Sequence, residues 1–299
     1  TPGQGVYKVD FNSEYSYVEG NIAQIAGGHL DALYTDLNNR TVTSNSHSLS
    51  FGSGETLLPG VYRVNGAVSV AGNLTFNGLG NSDSLFIIKS IGACNTAASV
   101  NMFLINGAQA SNIFWVAEGA VGIGASNVAY GTFLAHNYTV ALGTPTTFVG
   151  RLLSTAGAVS FGGGTMRRPT SSSVVNLDLI ENFFAYTKSG AVTNSAQAAI
   201  TGNLGSISGA VTLYAGTTLT GQIYDSTQPF GENAQFSVFA NGVKLPISER
   251  TRNSTNYTSE IALTAIATVA DSQSIDIRFR TDVGSLSLQN KILILKKLE

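Results

Sequence analysis

Asn101-Met-Phe-Leu-Ile105 and Asn112-Ile-Phe-Trp-Val116 are two strand-length runs rich in aromatic and β-branched residues, each opened by Asn. Asn73-Leu-Thr-Phe-Asn77 and Ser84-Leu-Phe-Ile-Ile88 precede them and have the same character. Around these runs the tripeptide Gly-Ala-Val recurs at 66–68, 119–121, 157–159, 190–192 and 209–211. The intervals are 53, 38, 33 and 19 residues, near multiples of a unit of about 18 residues, as in a repeat architecture. Short strands at coil-like spacing, with small residues at the corners, predict a parallel β-solenoid. A β-sandwich with chance Gly-Ala-Val matches is the alternative that a Gly- and Ala-rich chain allows.

Composition agrees with a β-rich chain. Of 299 residues, 33 are Gly and only 11% are charged, against roughly 25% in an ordinary soluble domain. Hydrophobic residues, at 43%, suffice for a core and exclude disorder. Sixteen Lys and Arg against 18 Asp and Glu leave a net charge of −2, so no strong field points at nucleic acid or acidic lipid. Charge is also unevenly spread. Residues 90–166 hold only Glu118 and Arg151, whereas 244–299 hold an ordinary share. A region that neutral buries most of its strand faces or presents a deliberately uncharged surface. The uncharged stretches 90–117 and 119–150 are broken by Asn, Gln, Ser, Thr and Gly, so no membrane span is predicted. The start at Thr1 without Met suggests a removed leader and hence secretion.

One helix is predicted over 21–37, where Ile22, Ile25, Ala26, Leu30, Leu33, Tyr34 and Leu37 make one apolar stripe with Asn21 as N-cap. Gly27-Gly28 costs it roughly 1 kcal/mol per residue, so it needs another element to pack on. Seams are expected at Arg167–Ser173 and near Gln228–Gly231. The predicted organisation is a solenoid over 1–170, a strand segment over 171–231, and an antiparallel jelly-roll-like β-sandwich over 232–299. In the last, Asn241-Gly242 marks a hairpin and Ile275, Ile277 and Phe279 alternate with charged residues.

Catalytic arrangements are absent from the sequence. His29, His47 and His136 lack metal-ligand spacing. Gly205-Ser-Ile-Ser-Gly209 puts Ile207 where a nucleophile would sit, and Gly122–Asn127 lacks the last Gly of a dinucleotide fingerprint. The single Cys94 excludes an intramolecular disulfide framework and reads as a buried core thiol. No enzyme, cofactor or metal is expected, although scattered Asp and Asn leave calcium in a loop open.

Leu58-Pro-Gly-Val-Tyr62, Gly72-Asn-Leu-Thr-Phe76, Asp83–Lys89, Asn106–Trp115, Gly131-Thr-Phe-Leu-Ala135 and Gly150-Arg-Leu-Leu-Ser154 together resemble the ice-binding-like family over about 20–165. The resemblance implies a discontinuous three-faced β-solenoid with a helix packed along it, in secreted or surface-anchored proteins, some of which bind ice through a flat Thr-rich face. The tail resembles, more loosely, C-terminal sandwich modules of bacterial surface proteins. Two departures matter. No repeating Thr-x-Thr ladder is legible; Thr144, Thr146 and Thr147 are the candidate flat-face residues. The segment Phe184–Val192 and Ala199–Gly205 resembles the family's opening coils yet follows the rest of the domain.

That misplacement suggests strand complementation. Phe183, Phe184, Tyr186, Ala191, Val192, Ile200, Leu204 and Val211 either fold back on their own chain or fill the gap in a neighbour. The second arrangement does not close and gives a polymer. The leading expectation is therefore a non-enzymatic extracellular filament or surface-assembly subunit, with ice binding and adhesion to a surface glycan as the alternatives.

Overall fold

The computed structural model describes residues 22–145 and 147–226, together with the backbone of Glu232–Ala240, Val243–Lys244, Arg250–Ser254 and Ile275–Thr281. Ile22–Gln228 is one unit, and the strands beyond Pro229 belong to another.

The first unit is a parallel β-solenoid with three faces. The first face stacks Ser50–Gly52, Val68–Ala71, Cys94–Thr96, Val121–Ile123, Val140–Leu142, Val159–Phe161, Val192–Asn194 and Val211–Thr212 in chain order. The second stacks Glu55–Leu57, Asn73–Asn77, Asn101–Ile105, the start of Val128–Ala135, the start of Thr147–Ser154, Gly164–Arg167, Ala198–Thr201 and Thr218–Thr220. The third stacks Gly60–Val64, Phe86–Ser90, Ile113–Ala117, the ends of the two long strands, Phe183–Thr187, Asn203–Ser206 and Ile223–Tyr224. Every pairing within these faces is parallel, because each strand meets its counterpart one coil later.

Strand periodicity sorts the side chains. In Val68-Ser-Val70 the valines are buried and Ser69 is exposed, and the five strands from Cys94–Thr96 to Val192–Asn194 likewise bury their ends and turn the middle residue out. Inward residues of all three faces share one core. Trp115 stacks on Phe133 (centroids 5.5 Å apart), and Phe148 and Phe161 meet Phe184 edge-on at 5.9 and 5.3 Å. Each such ring contributes about 1.5–3 kcal/mol by leaving water, which offsets the entropy of ordering its coil.

The second and third faces meet at a corner that two strands cross without interruption. Gly131 sits there at φ 109°, and Gly150 lies directly opposite in the next coil. A Cβ on Gly150 would fall 1.9 Å from the Gly131 carbonyl oxygen, so only Gly permits this approach. Asn106-Gly107, both at positive φ, makes a tight corner between faces rather than a hairpin.

The third face is buried on both sides. A helix, α1 (Ile22–Asn39), covers its outer side with Ala23, Ala26, Leu30, Leu33 and Leu37 packed on Val61, Ile87, Phe114, Val116, Leu134 and Leu153. Asn21 lies outside the described residues. At the other end the buried Lys89 ammonium donates to the Asn38 and Arg40 carbonyls, at 3.0 and 2.7 Å, and closes the last turn. Gly27 is a contact position, since a Cβ there would sit 2.7 Å from Ile207 Cδ1 and 3.0 Å from Tyr186 Oη. Residues 168–182 form a strap beside the helix. Ser173 Oγ and Val174 N donate to Asn112 Oδ1, and Val175, Leu177 and Ile180 are buried.

The strap returns the chain to the solenoid. Leu152, Leu153 and Ser154 pair with Ala185, Tyr186 and Thr187, and the following strands continue all three faces upward. Segment 183–224 therefore extends its own solenoid, and strands on both sides of residue 170 share the same sheets. Of the two arrangements that the sequence allows, folding back on its own chain or filling the gap in a neighbour, this structure has the first. The 15-residue strap, rather than a short Arg167–Ser173 linker, lets the segment dock in cis. In the other unit, Glu232–Ala240 pairs antiparallel with Val243–Lys244, Arg250–Ser254 and Ile275–Thr281. The rest of the expected sandwich, including Asn241-Gly242, lies outside the described residues.

Gly150→Ala should destabilise the solenoid by about 2 kcal/mol or more through overpacking. Gly28→Ala, whose Cβ enters open space, should be neutral or stabilising by up to about 1 kcal/mol. Urea unfolding of the two variants checks the contrast.

Candidate functional site

Among the described residues the third face is covered, and the first and second expose outward rows. On the first, strand register aligns Ser50, Ser69, Asn95, Gly122, Ala141, Ser160, Thr193 and Thr212 into one outward row. None of the eight is charged and none is large. Beside it Ala93, Ala120, Thr139, Ala158, Ala191 and Ala210 form a second small-residue row, each accepting a hydrogen bond from the adjoining coil. Neighbouring coils repeat at about 4.8 Å. Gly, Ala, Ser and Thr lose little rotamer freedom, so this surface is already as ordered as it becomes on contact.

The second face is less uniform. One outward row runs Thr147, Thr165, Ala199, Thr218, and the next runs Arg167, Thr201, Thr220 after the buried Val149. Thr56 and Thr75 pair at its other end and continue onto Phe103, which is 46% exposed. Threonines are thus frequent here, but Phe103 and Arg167 break the surface with bulk and charge.

The threonines expected to act together are separated. Thr147 lies in a second-face row. Thr144 is exposed on the turn after Val140–Leu142, and its Oγ1 accepts from Gly163 N at 3.4 Å. Thr146 lies outside the described residues. Of the segment expected to bridge subunits, Phe184, Val192, Ile200 and Leu204 belong to the inner core, with Val211 packed against it. Phe183 and Tyr186 face α1 and the strap. These residues hold the chain's own fold. The first-face row was missed because its members lie 19–33 residues apart. The signal was present in Gly-Ala-Val itself, since the residue after each Val points outward: Ser69, Gly122, Ser160, Thr193 and Thr212.

Titratable groups serve the scaffold. Glu118 accepts from Tyr34 Oη at 2.7 Å on α1 and lies 2.7 Å from His136 Nδ1, while the Tyr34 and His136 rings stack at 4.1 Å. Burial and the Glu118 carboxylate both raise the Tyr34 pKa. His47 pairs with Glu55 at 2.6 Å and stacks on Phe51. His29 Nδ1 accepts from Leu179 N. Among the described residues no three His, Cys, Asp or Glu side chains cluster as metal ligands. Cys94 faces the core, and burial pushes its thiol up to about 12.

The profile of the ice-binding-like family matches residues 3–166. The chain belongs to that family. An ice-binding protein of Colwellia is 31% identical over 153 residues, covering 50% of this chain and 58% of the relative. One from Flavobacterium frigoris is 34% identical over 82 residues, covering 27% and 29%. A solved ice-binding protein from an Antarctic Flavobacteriaceae bacterium overlaps 67% of this chain and 83% of its own at 17% identity, with a TM-score of 0.38. The chain thus spans 58% and 29% of these two sequence relatives. The expectation of a filament subunit is overturned: the relatives are ice-binding proteins.

Because only the unfolded chain ionises Cys94 between the ordinary thiol range and about pH 12, this residue's contribution to stability falls as pH rises through that window. Native protein at pH 8 should resist thiol labelling, and labelling should appear with unfolding in urea.

Proposed function

We propose that this protein binds ice, and that the first face is the contact surface. The observation that carries the reading is the uninterrupted register of eight small, uncharged outward residues from Ser50 to Thr212. Membership of the ice-binding-like family supports it. Binding an ordered solid requires water to be held in a fixed pattern over many repeats. A long charged side chain would disturb that pattern by its own motion and hydration, whereas Ser, Thr and Asn anchor single waters and Ala and Gly leave the surface flat. Each contact is weak, so activity depends on many coils presenting the same geometry at once. The second face meets this requirement poorly where Phe103 and Arg167 protrude. The role is non-enzymatic and extracellular on this reading, since the surface works by shape and hydration without any reacting group.

Purified protein should show thermal hysteresis and shape growing ice crystals. Ala141→Tyr, which plants a ring in the middle of the exposed first-face row, should remove most of that activity while leaving the unfolding midpoint nearly unchanged. Thr165→Tyr, exposed on the second face, should leave activity intact. Round, unshaped ice at high concentration of the unmodified protein contradicts ice binding. Loss through Thr165→Tyr with retention in Ala141→Tyr moves the contact to the second face.

A further inference from the structure

Two buried polar side chains, one of them bonded to the strap, keep atoms without a hydrogen-bond partner. Arg151 and Thr132 pair in register on adjacent coils, and both are 0% exposed. Arg151 Nη2 donates to the Glu181 carbonyl at 2.9 Å, but its Nε and Nη1 have no partner, nor does Thr132 Oγ1. A guanidinium has donors only, and leaving a buried charge unpaired is costly. Glu181 and Arg168 are the charged groups that act on Arg151, so two guanidiniums and one carboxylate are in play and one positive charge is left over. Unpartnered groups on two residues in register on adjacent coils, both fully buried, together with a surplus positive charge, suit a guest that only accepts hydrogen bonds, is small, and carries one negative charge.

We propose that Arg151 and Thr132 hold a halide-sized monovalent anion beneath the 168–182 strap. The anion accepts from Arg151 Nε and Nη1 and from Thr132 Oγ1. It ties the coil of residues 128–135 to that of 147–154 and fastens the strap through the Arg151 bond to Glu181. This site is separate from both exposed faces, so its occupancy bears on the stability of the solenoid and not on contact with ice.

The full chain, crystallised from sodium bromide, should give an anomalous bromine peak within hydrogen-bonding reach of Arg151 and Thr132. In solution, the melting temperature should rise saturably with sodium bromide beyond its response to sodium gluconate at equal ionic strength. Thr132→Val, nearly isosteric and uncharged, should weaken the half-saturating bromide concentration by about threefold to tenfold, the loss of one hydrogen bond. Arg151→Met should abolish the bromide-specific response; if it does not fold, the Thr132→Val titration decides. A water or the Glu181 carboxylate on the Arg151 donors in the bromide crystal, equal bromide and gluconate responses, or an unchanged titration in Thr132→Val overturns the proposal.

Discussion

The in-register parallel ladder between coils governs this molecule. Because each residue hydrogen-bonds to its equivalent one coil away, a side chain's direction is repeated up the stack, and a slip of one residue would turn the core outward. The same rule produces both working surfaces. Inside, it superimposes Trp115, Phe133 and Phe148 into a continuous aromatic column. Outside, it superimposes Asn95, Gly122, Ala141 and Ser160 into a flat row. The flat face therefore inherits its regularity from the packing of the core, and damage to the column is expected to be felt on the surface.

An architecture of repeats still has to be fastened where its symmetry breaks, and the two charges of the neutral region do that work. Glu118 ties α1 to the coils through Tyr34, with His136 stacked against the same ring. Arg151 reaches the Glu181 carbonyl and anchors the strap. Helix and strap together cover the third face, whose outward residues Phe114, Val116, Leu134 and Leu153 are as apolar as its inward ones. Sealing that face leaves the first and second as the surfaces a partner can meet.

Much of this was legible in the sequence. The 18-residue periodicity of Gly-Ala-Val, the strand-length runs and the apolar stripe from Ile22 to Leu37 each report a local constraint, and each led to the solenoid and its helix. The order of the coils was harder to read. Phe183, Tyr186 and Leu204 were recognisably strand residues, but whether they completed this chain or another depended on the path of residues 168–182. That path is set by contacts such as Ser173 and Val174 to Asn112, about sixty residues away in sequence. The proposed contact face was hidden for a related reason. A search for Thr-x-Thr looks along a strand, whereas the row that matters runs across strands and includes Gly122 and Ala141, which do not stand out singly.

Adsorption to ice is the direct test of ice binding by the neutral face. A single ice crystal grown slowly through a dilute solution of fluorescently labelled protein, alongside a labelled protein of similar size with an ordinary charged surface, separates binding from passive trapping. The solenoid protein should enter the ice and mark defined crystal planes while the control is excluded. Exclusion of both proteins from the ice to the same extent would contradict it.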